Sequence, residues 1–249
     1  MRNVLLQLAF VGTDYSGWQR QKAPGTVQQV IESAISEITR EQVSLIGCSR
    51  TDAGVHAEDY IANFRTGSSI PVAKFKPAIQ SKLPRDIQII RSLEVDPTFN
   101  ARRNSYEKTY RYQIYLGSTP FYNGRWWQYG GEIDYLSLSC MAKKLTGTRD
   151  FSGFCVQKSL KADNRCSIKQ AAWSRVGKKV YFRIIGDRFL HRMVRFLVGA
   201  QIEVAVGKLT FEDFEDMLND PGKRRALYPA PPDGLYLTKV KYKQERRSG

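Results

Sequence analysis

The first group able to do chemistry is Asp52, in the stretch SRTDAGVHA over residues 49–57. It lies two residues after Arg50 and four before His56. At neutral pH an aspartate, with a reference pKa of ~3.9, is a carboxylate. Such a group can serve as nucleophile, base, metal ligand or cap. No second acid lies in the stretch, so a paired-carboxylate hydrolase is not indicated. On extended backbone, residues two apart share a face, which would bring Arg50 beside Asp52. Two readings stand. Arg50 and Asp52 form an ion pair that holds a turn, with Gly54 supplying a positive φ. Alternatively, Asp52 is a reactive carboxylate on a rigid loop.

A second candidate is RFLHRMVRFLVG, residues 188–199. If helical, it places His191 and Arg195 four apart on one face, and Arg188 and Arg192 one stripe over. Met193, Phe196, Leu197 and Ala200 form its apolar stripe. Arg195, set between Val194 and Phe196, then has three readings: a solvated face, a charge directed into a site, or a phosphate contact. A third candidate is KTYRYQIY, where Tyr110 and Tyr112 alternate as on a strand. They are core or surface aromatics, or else Tyr110 lines a pocket where an unstacked base could lie. Metal chemistry is not expected. The chain has two histidines, His56 and His191, and four cysteines, Cys48, Cys140, Cys155 and Cys166, with no C-x-x-C spacing. A disulfide framework is not expected at this length either.

The elements that must position these groups read as follows. Residues 3–11 form a strand, and GTDYSGWQRQ follows as a polar, aromatic, basic loop. Residues 26–39 have helical spacing behind a Thr26 cap. QVSLIG and AEDYIANFRT are strands on either side of the Asp52 loop. A helix over PVAKFKPAIQSKLP, interrupted by Pro77 or starting near it, precedes the strand DIQIIRSLEV. This order gives an α+β half with a mostly antiparallel sheet over residues 1–99. In the second half, residues 100–249, KTYRYQIYLG is a strand and GRWWQYGG an aromatic loop. DYLSLSCMAKKLTG is a helix closed by Gly147, and a hairpin turns at Gly177-Lys178. A long helix is capped by Asp187, TFEDFEDMLND is a short acidic helix, and DGLYLTKVKYK is the last strand.

Composition narrows the partner. The 249 residues are 42% hydrophobic and 25% charged, as in ordinary globular proteins. Lys and Arg number 39 against 24 Asp and Glu, a net charge of +15. That sign of field favours phosphates or anionic surfaces, and the many aromatic residues offer faces for unstacked bases. The N-terminus reads as a strand rather than a signal peptide. FLVGAQIEVAV is interrupted by Glu203 and too short to span a bilayer, so a cytoplasmic protein without a membrane partner is expected. A non-catalytic RNA-binding or remodelling protein shares this charge and aromaticity but has no need of Asp52 on a constrained loop. A nuclease is disfavoured by the missing metal cluster and the lack of a catalytic histidine pair.

SRTDAGVHA, KTYRY and FLHRMVRFLVG, in this order and at these separations, resemble the tRNA pseudouridine synthase A family. GTDYSGWQRQ with TVQ, DFSGF and DGLYL extend the resemblance over almost the whole chain. It implies two similar α+β halves sharing a central, mostly antiparallel sheet, with a basic active-site cleft between them. It implies isomerisation of uridine to pseudouridine at positions 38–40 of the tRNA anticodon stem-loop, by a homodimer without metal or small-molecule cofactor. Asp52 would be the essential aspartate and Arg50 would assist extrusion of the base. Tyr110 would stack on the uracil, Arg195 would pair with Asp52, and Leu237 would stand in the pocket wall. The chain departs from the family pattern in three places. Ser49 replaces a usual glycine, Phe10-Val11 replaces Tyr-Asp, and DNRCSIKQ does not follow the usual R-T-I stretch.

Overall fold

A computed structural model describes residues 1–243. In chain order the elements are β1 (Arg2–Phe10), α1 (Val27–Thr39), β2 (Ile46–Gly47), β3 (His56–Thr66), α2 (Val72–Gln80), β4 (Ile87–Val95), β5 (Ser105–Leu116), β6 (Trp127–Tyr129), α3 (Tyr135–Lys144), β7 (Gly147–Asp150), β8 (Arg165–Val176), β9 (Lys179–Gly186), α4 (Met193–Ala205), α5 (Phe211–Asn219) and β10 (Leu235–Tyr242). The class is the expected mixed α+β with mostly antiparallel strand pairing. The chain divides into two compact units. One comprises residues 1–106 and resumes at Tyr236; the other is Glu107–Leu235. The sequence pattern had suggested 1–99 and 100–249, whose last six residues, 244–249, lie outside the described residues.

In the first unit the strands lie in the order β4, β1, β3, β10, with β2 also on β3. β1 is antiparallel to both β3 and β4. β10 joins β3 in parallel through Tyr236 opposite His56 and Leu237 opposite Ala57. Val4, Leu6 and Leu8, fully buried on β1, share a core with Phe64, Ile31, Ile35, Phe75 and Ile79. Thr26 caps α1 in a capping box with Gln29, as a threonine three residues before a glutamine favours. α2 keeps Pro77 within it.

QVSLIG is not a full strand: only Ile46 and Gly47 pair with β3. Helix side chains satisfy the backbone before them instead. Leu45 N–H donates to Glu32 Oε1 at 2.8 Å, and Gln28 Nε2 donates to the Leu45 carbonyl at 3.2 Å. Glu32 is 2% exposed. A buried carboxylate needs such partners, and Arg20 supplies a further one at 2.5 Å.

The second unit has strand order β5, β9, β8, β7, all antiparallel, with β6 parallel to β5. The hairpin turns at Gly177-Lys178 as expected, with Gly177 at φ +58°. GRWWQYGG is not wholly a loop, because Trp127–Tyr129 pair with Ile114–Leu116. The largest correction concerns the long helix. α4 begins at Met193, not near Asp187, and Arg192 precedes it in the left-handed conformation at φ 62°. His191 and Arg188 are therefore not on the helix, and the expected sharing of a face by His191 and Arg195 does not occur. α4 is instead buried from Met193 to Ile202. Asp187 caps no helix: its carboxylate accepts from the Ser167 N–H at 2.8 Å.

Candidate active site

Asp52 lies on the connection between β2 and β3, and a neighbouring loop fixes that connection. Trp18 N–H donates to the Thr51 carbonyl at 3.2 Å, just before Asp52, and Gly54 N–H donates to the Tyr15 carbonyl at 3.2 Å, just after it. Val55 N–H closes a turn onto the Asp52 carbonyl at 3.2 Å. Gly54 sits at φ +78°, the conformation its place in the motif suggested. Two residues further on, the Gly12 N–H donates to His56 Nδ1 at 3.0 Å. An acceptor nitrogen carries no proton, so the His56 proton resides on Nε2.

The bracing loop, residues 12–21, is itself anchored. Val27 N–H and Gln28 N–H at the start of α1 donate to the Gly17 and Trp18 carbonyls at 3.1 and 3.0 Å. Arg20 N–H donates to Gln28 Oε1 at 3.0 Å. The Tyr15 hydroxyl donates to Asp86 Oδ1 at 2.8 Å. Burial, then that bond and the Asp86 charge, raise the phenol far above its ordinary range. Trp18, 1% exposed, lies over Tyr60 with ring centroids 4.1 Å apart. Gly12 is required by space. A Cβ there would lie 2.0 Å from the Val55 carbonyl oxygen.

The sequence had marked GTDYSGWQRQ as a polar loop; its role as a brace for Asp52 was not legible. The periodic signal stops at Gly12, and these contacts are made by backbone. Ser49, the departure from a usual glycine, is accommodated. Its φ is not in the left-handed region, and its carbonyl accepts from the Tyr60 hydroxyl. Arg50 is exposed and Asp52 half-buried.

β10 enters the same neighbourhood. The Tyr236 ring stacks on His56, centroids 4.4 Å apart and planes 23° from parallel. Leu237, fully buried, is in register with Ala57. The first unit thus gathers Arg50, Asp52, His56 and Leu237 around one end of β3.

The second unit carries Tyr110 and Arg195. Tyr110, on β5 opposite Ile184, is 6% exposed, and its ring meets Phe189 edge-on at 5.0 Å. Arg195, 9% exposed, lies in the first turn of α4. The solvated-face reading is thereby excluded. Its Nε donates to the Ala230 carbonyl at 2.7 Å, and the Ala230 N–H returns a bond to the Arg195 carbonyl at 2.9 Å. This two-way clasp orients the guanidinium plane. The neighbouring Tyr112 donates to the Pro231 carbonyl at 2.7 Å. Burial drives its phenol well above the usual value, the Arg195 charge opposes this, and Asp233 adds to it.

Among the described residues, no three His, Cys, Asp or Glu side chains are grouped as metal ligands would be. No described helix is long and apolar enough to cross a membrane. The arrangement is that of a mixed α+β protein that presents one carboxylate on a loop locked from both sides.

The model of a family described as tRNA pseudouridine synthase matches residues 8–102 and 141–243. A tRNA pseudouridine synthase A of Acetivibrio thermocellus is 42% identical over 244 residues, 97% of this chain and all of that protein. One from Clostridium kluyveri is 37% identical over the same shares, and a tRNA pseudouridine synthase A 2 of Clostridium perfringens is 38% identical. Among solved structures, a chain of an archaeal box H/ACA sRNP Nop10-Cbf5 complex is similar at TM-score 0.38 and 11% identity, over 78% of this chain and 44% of that one. The chain belongs to the tRNA pseudouridine synthase family. It is accordingly an isomerase with tRNA as its substrate.

Proposed function

We propose that this enzyme isomerises uridine at positions 38–40 of the tRNA anticodon stem-loop, with Asp52 as the reacting carboxylate. The observation that supports Asp52 is its mounting: a half-buried acid flanked by the Thr51 carbonyl and the Gly54 N–H, each held by the 12–18 loop. Catalysis gains from such fixed placement, because an error of about 1 Å can cost about 10²-fold in rate.

The reaction breaks the N-glycosidic bond and joins uracil C5 to ribose C1′. The C5 proton is lost and the freed nitrogen takes one up, so atoms balance without an outside reagent or a redox change. Asp52 can act at C1′, at uracil C6, or as proton acceptor. Arg195 is assigned, on the family resemblance, as the cation of the reacting site. Tyr110 receives the uracil ring. Leu237 supplies a dry wall beside the base. Arg50, exposed at the loop's edge, assists removal of the base from its stack, which costs a few kcal/mol. The enzyme works in the cytoplasm as a homodimer.

Mapping pseudouridine in tRNA from cells with and without this protein tests the assignment of positions. The modification is expected to vanish at 38–40 and persist elsewhere. Persistence at 38–40 with loss at other positions would overturn it.

A further inference from the structure

Residues 226–231, ALYPAP, lie between α5 and β10 and are fixed to the second unit through their backbone. The Ala226 N–H donates to the Gly153 carbonyl at 2.9 Å. The Tyr228 carbonyl rests on α4 so closely that a Cβ on Gly199 would lie 2.2 Å from its oxygen. Ala230 is clasped to Arg195 in both directions, and the Pro231 carbonyl accepts from Tyr112. Pro229 and Pro231 restrict the backbone further. Two side chains of this anchored segment face solvent: Leu227 is 69% exposed and Tyr228 66%. The Tyr228 side chain has no hydrogen bond or ring contact among the described residues.

Neither the fold nor the clasp needs that ring. The segment buries Ala226 and Ala230, and backbone groups of Ala230 make the bonds to Arg195. A ring carried on fixed backbone loses little freedom when a flat partner lies on it. The substrate supplies such partners: tRNA carries bases, and every base has a face that stacks on an aromatic ring. Only an unpaired base can do so, because a paired one is held inside its stem. The approach to the segment is cationic, as an RNA strand favours. Lys223, Arg224 and Arg225 lead into it. Lys223 and Arg224 are paired with Asp216 and Asp213 on α5, and Arg225 is exposed with no ion pair among the described residues.

We propose that Tyr228 is a stacking platform for an unpaired base of the substrate tRNA. Tyr228 is two residues from Ala230, at most about 7 Å of chain, so the stacked base belongs to a nucleotide near the reacting uridine. The stacking rests on tRNA being the substrate; only its closeness to the reacting uridine rests on the assignment of Arg195 to the reacting site. Stacking tolerates any base, so the platform positions the RNA without reading its sequence.

The test is tRNA binding by the full chain carrying Tyr228→Ala or Tyr228→Trp. A control carries Phe121→Ala, which removes another exposed ring of the same unit. Fluorescence anisotropy would be measured over a range of salt concentrations. Tyr228→Ala should weaken binding about 5- to 150-fold, the ~1–3 kcal/mol of one base–aromatic stack. The slope of log K against log salt should change by less than half of the about 0.7–0.9 that one phosphate contact contributes. KM should rise by the same factor as Kd, with kcat at saturating tRNA little changed. Tm should stay within about 2 °C, as for an exposed side chain. Tyr228→Trp keeps a stacking surface and should bind about as tightly as wild type, as should Phe121→Ala. Unchanged affinity in Tyr228→Ala, a loss that Tyr228→Trp does not restore, or an equal loss in Phe121→Ala would overturn the platform. So would conversion of the Tyr228→Ala protein to a smaller species in sedimentation, which would set the ring against a second copy of the chain. Failure of the Asp52 assignment would appear separately, as turnover retained by Asp52→Asn.

Discussion

Gly12→Ala is a small change forty residues from Asp52, and it should disable the enzyme. The new Cβ would lie 2.0 Å from the Val55 carbonyl oxygen. Carbon and carbonyl oxygen approach to about 3.3 Å at closest, so the two segments must separate by about 1.3 Å. They are joined there by the Gly12 N–H bond to His56 Nδ1, and Val55 is hydrogen-bonded back to the Asp52 carbonyl. The displacement therefore passes to the Asp52 loop. Overpacking of this kind costs about 1–3 kcal/mol, or roughly 2–12 °C in Tm for a chain this long. A misplacement of about 1 Å should lower kcat about 10²-fold. Tritium release from C5-labelled uridine in tRNA measures kcat, and calorimetry measures Tm. A variant with wild-type kcat and wild-type Tm would refute the argument that the 12–18 loop positions Asp52.

Two further perturbations probe the same brace. His56→Leu orphans the buried Gly12 N–H, costing about 1–3 kcal/mol, and removes a ring stack worth about 0.5–1.5 kcal/mol. His56→Asn keeps an acceptor near Nδ1 and should recover much of the lost kcat; equal kcat in the two variants, measured with tRNA saturating, would contradict a positioning role. Tyr15→Phe deletes the bond to Asp86 and should lower stability by about 1–2 kcal/mol in denaturant unfolding, and an unchanged midpoint would show that the bond contributes nothing.

Much of the architecture was legible because periodic burial writes it into the chain. β1, α1, β3 and the β8–β9 hairpin follow from alternation, helical spacing, a Thr26 cap and a Gly177 turn. The failures have physical causes. Apolar residues from Phe189 to Ala200 suit a helix, but the backbone reaches helical geometry only at Met193, after Arg192 turns left-handed. Residues 42–45 look like strand, yet Gln28 and Glu32 side chains take Leu45's backbone bonds. At the site, the residue types were readable in the motifs, and the burial of Arg195 removes one of its three readings, the solvated face. The brace from Gly12 to Trp18 was not readable. Backbone groups make it, and a chain reveals its side chains more readily than its carbonyls.

The central claim is that Asp52 carries the chemistry. Its most direct test is single-turnover tritium release by Asp52→Asn, with tRNA binding measured on the same preparation. The expected result is wild-type affinity for tRNA with pseudouridine formation abolished. Pseudouridine formed at a substantial fraction of the wild-type rate would contradict the account.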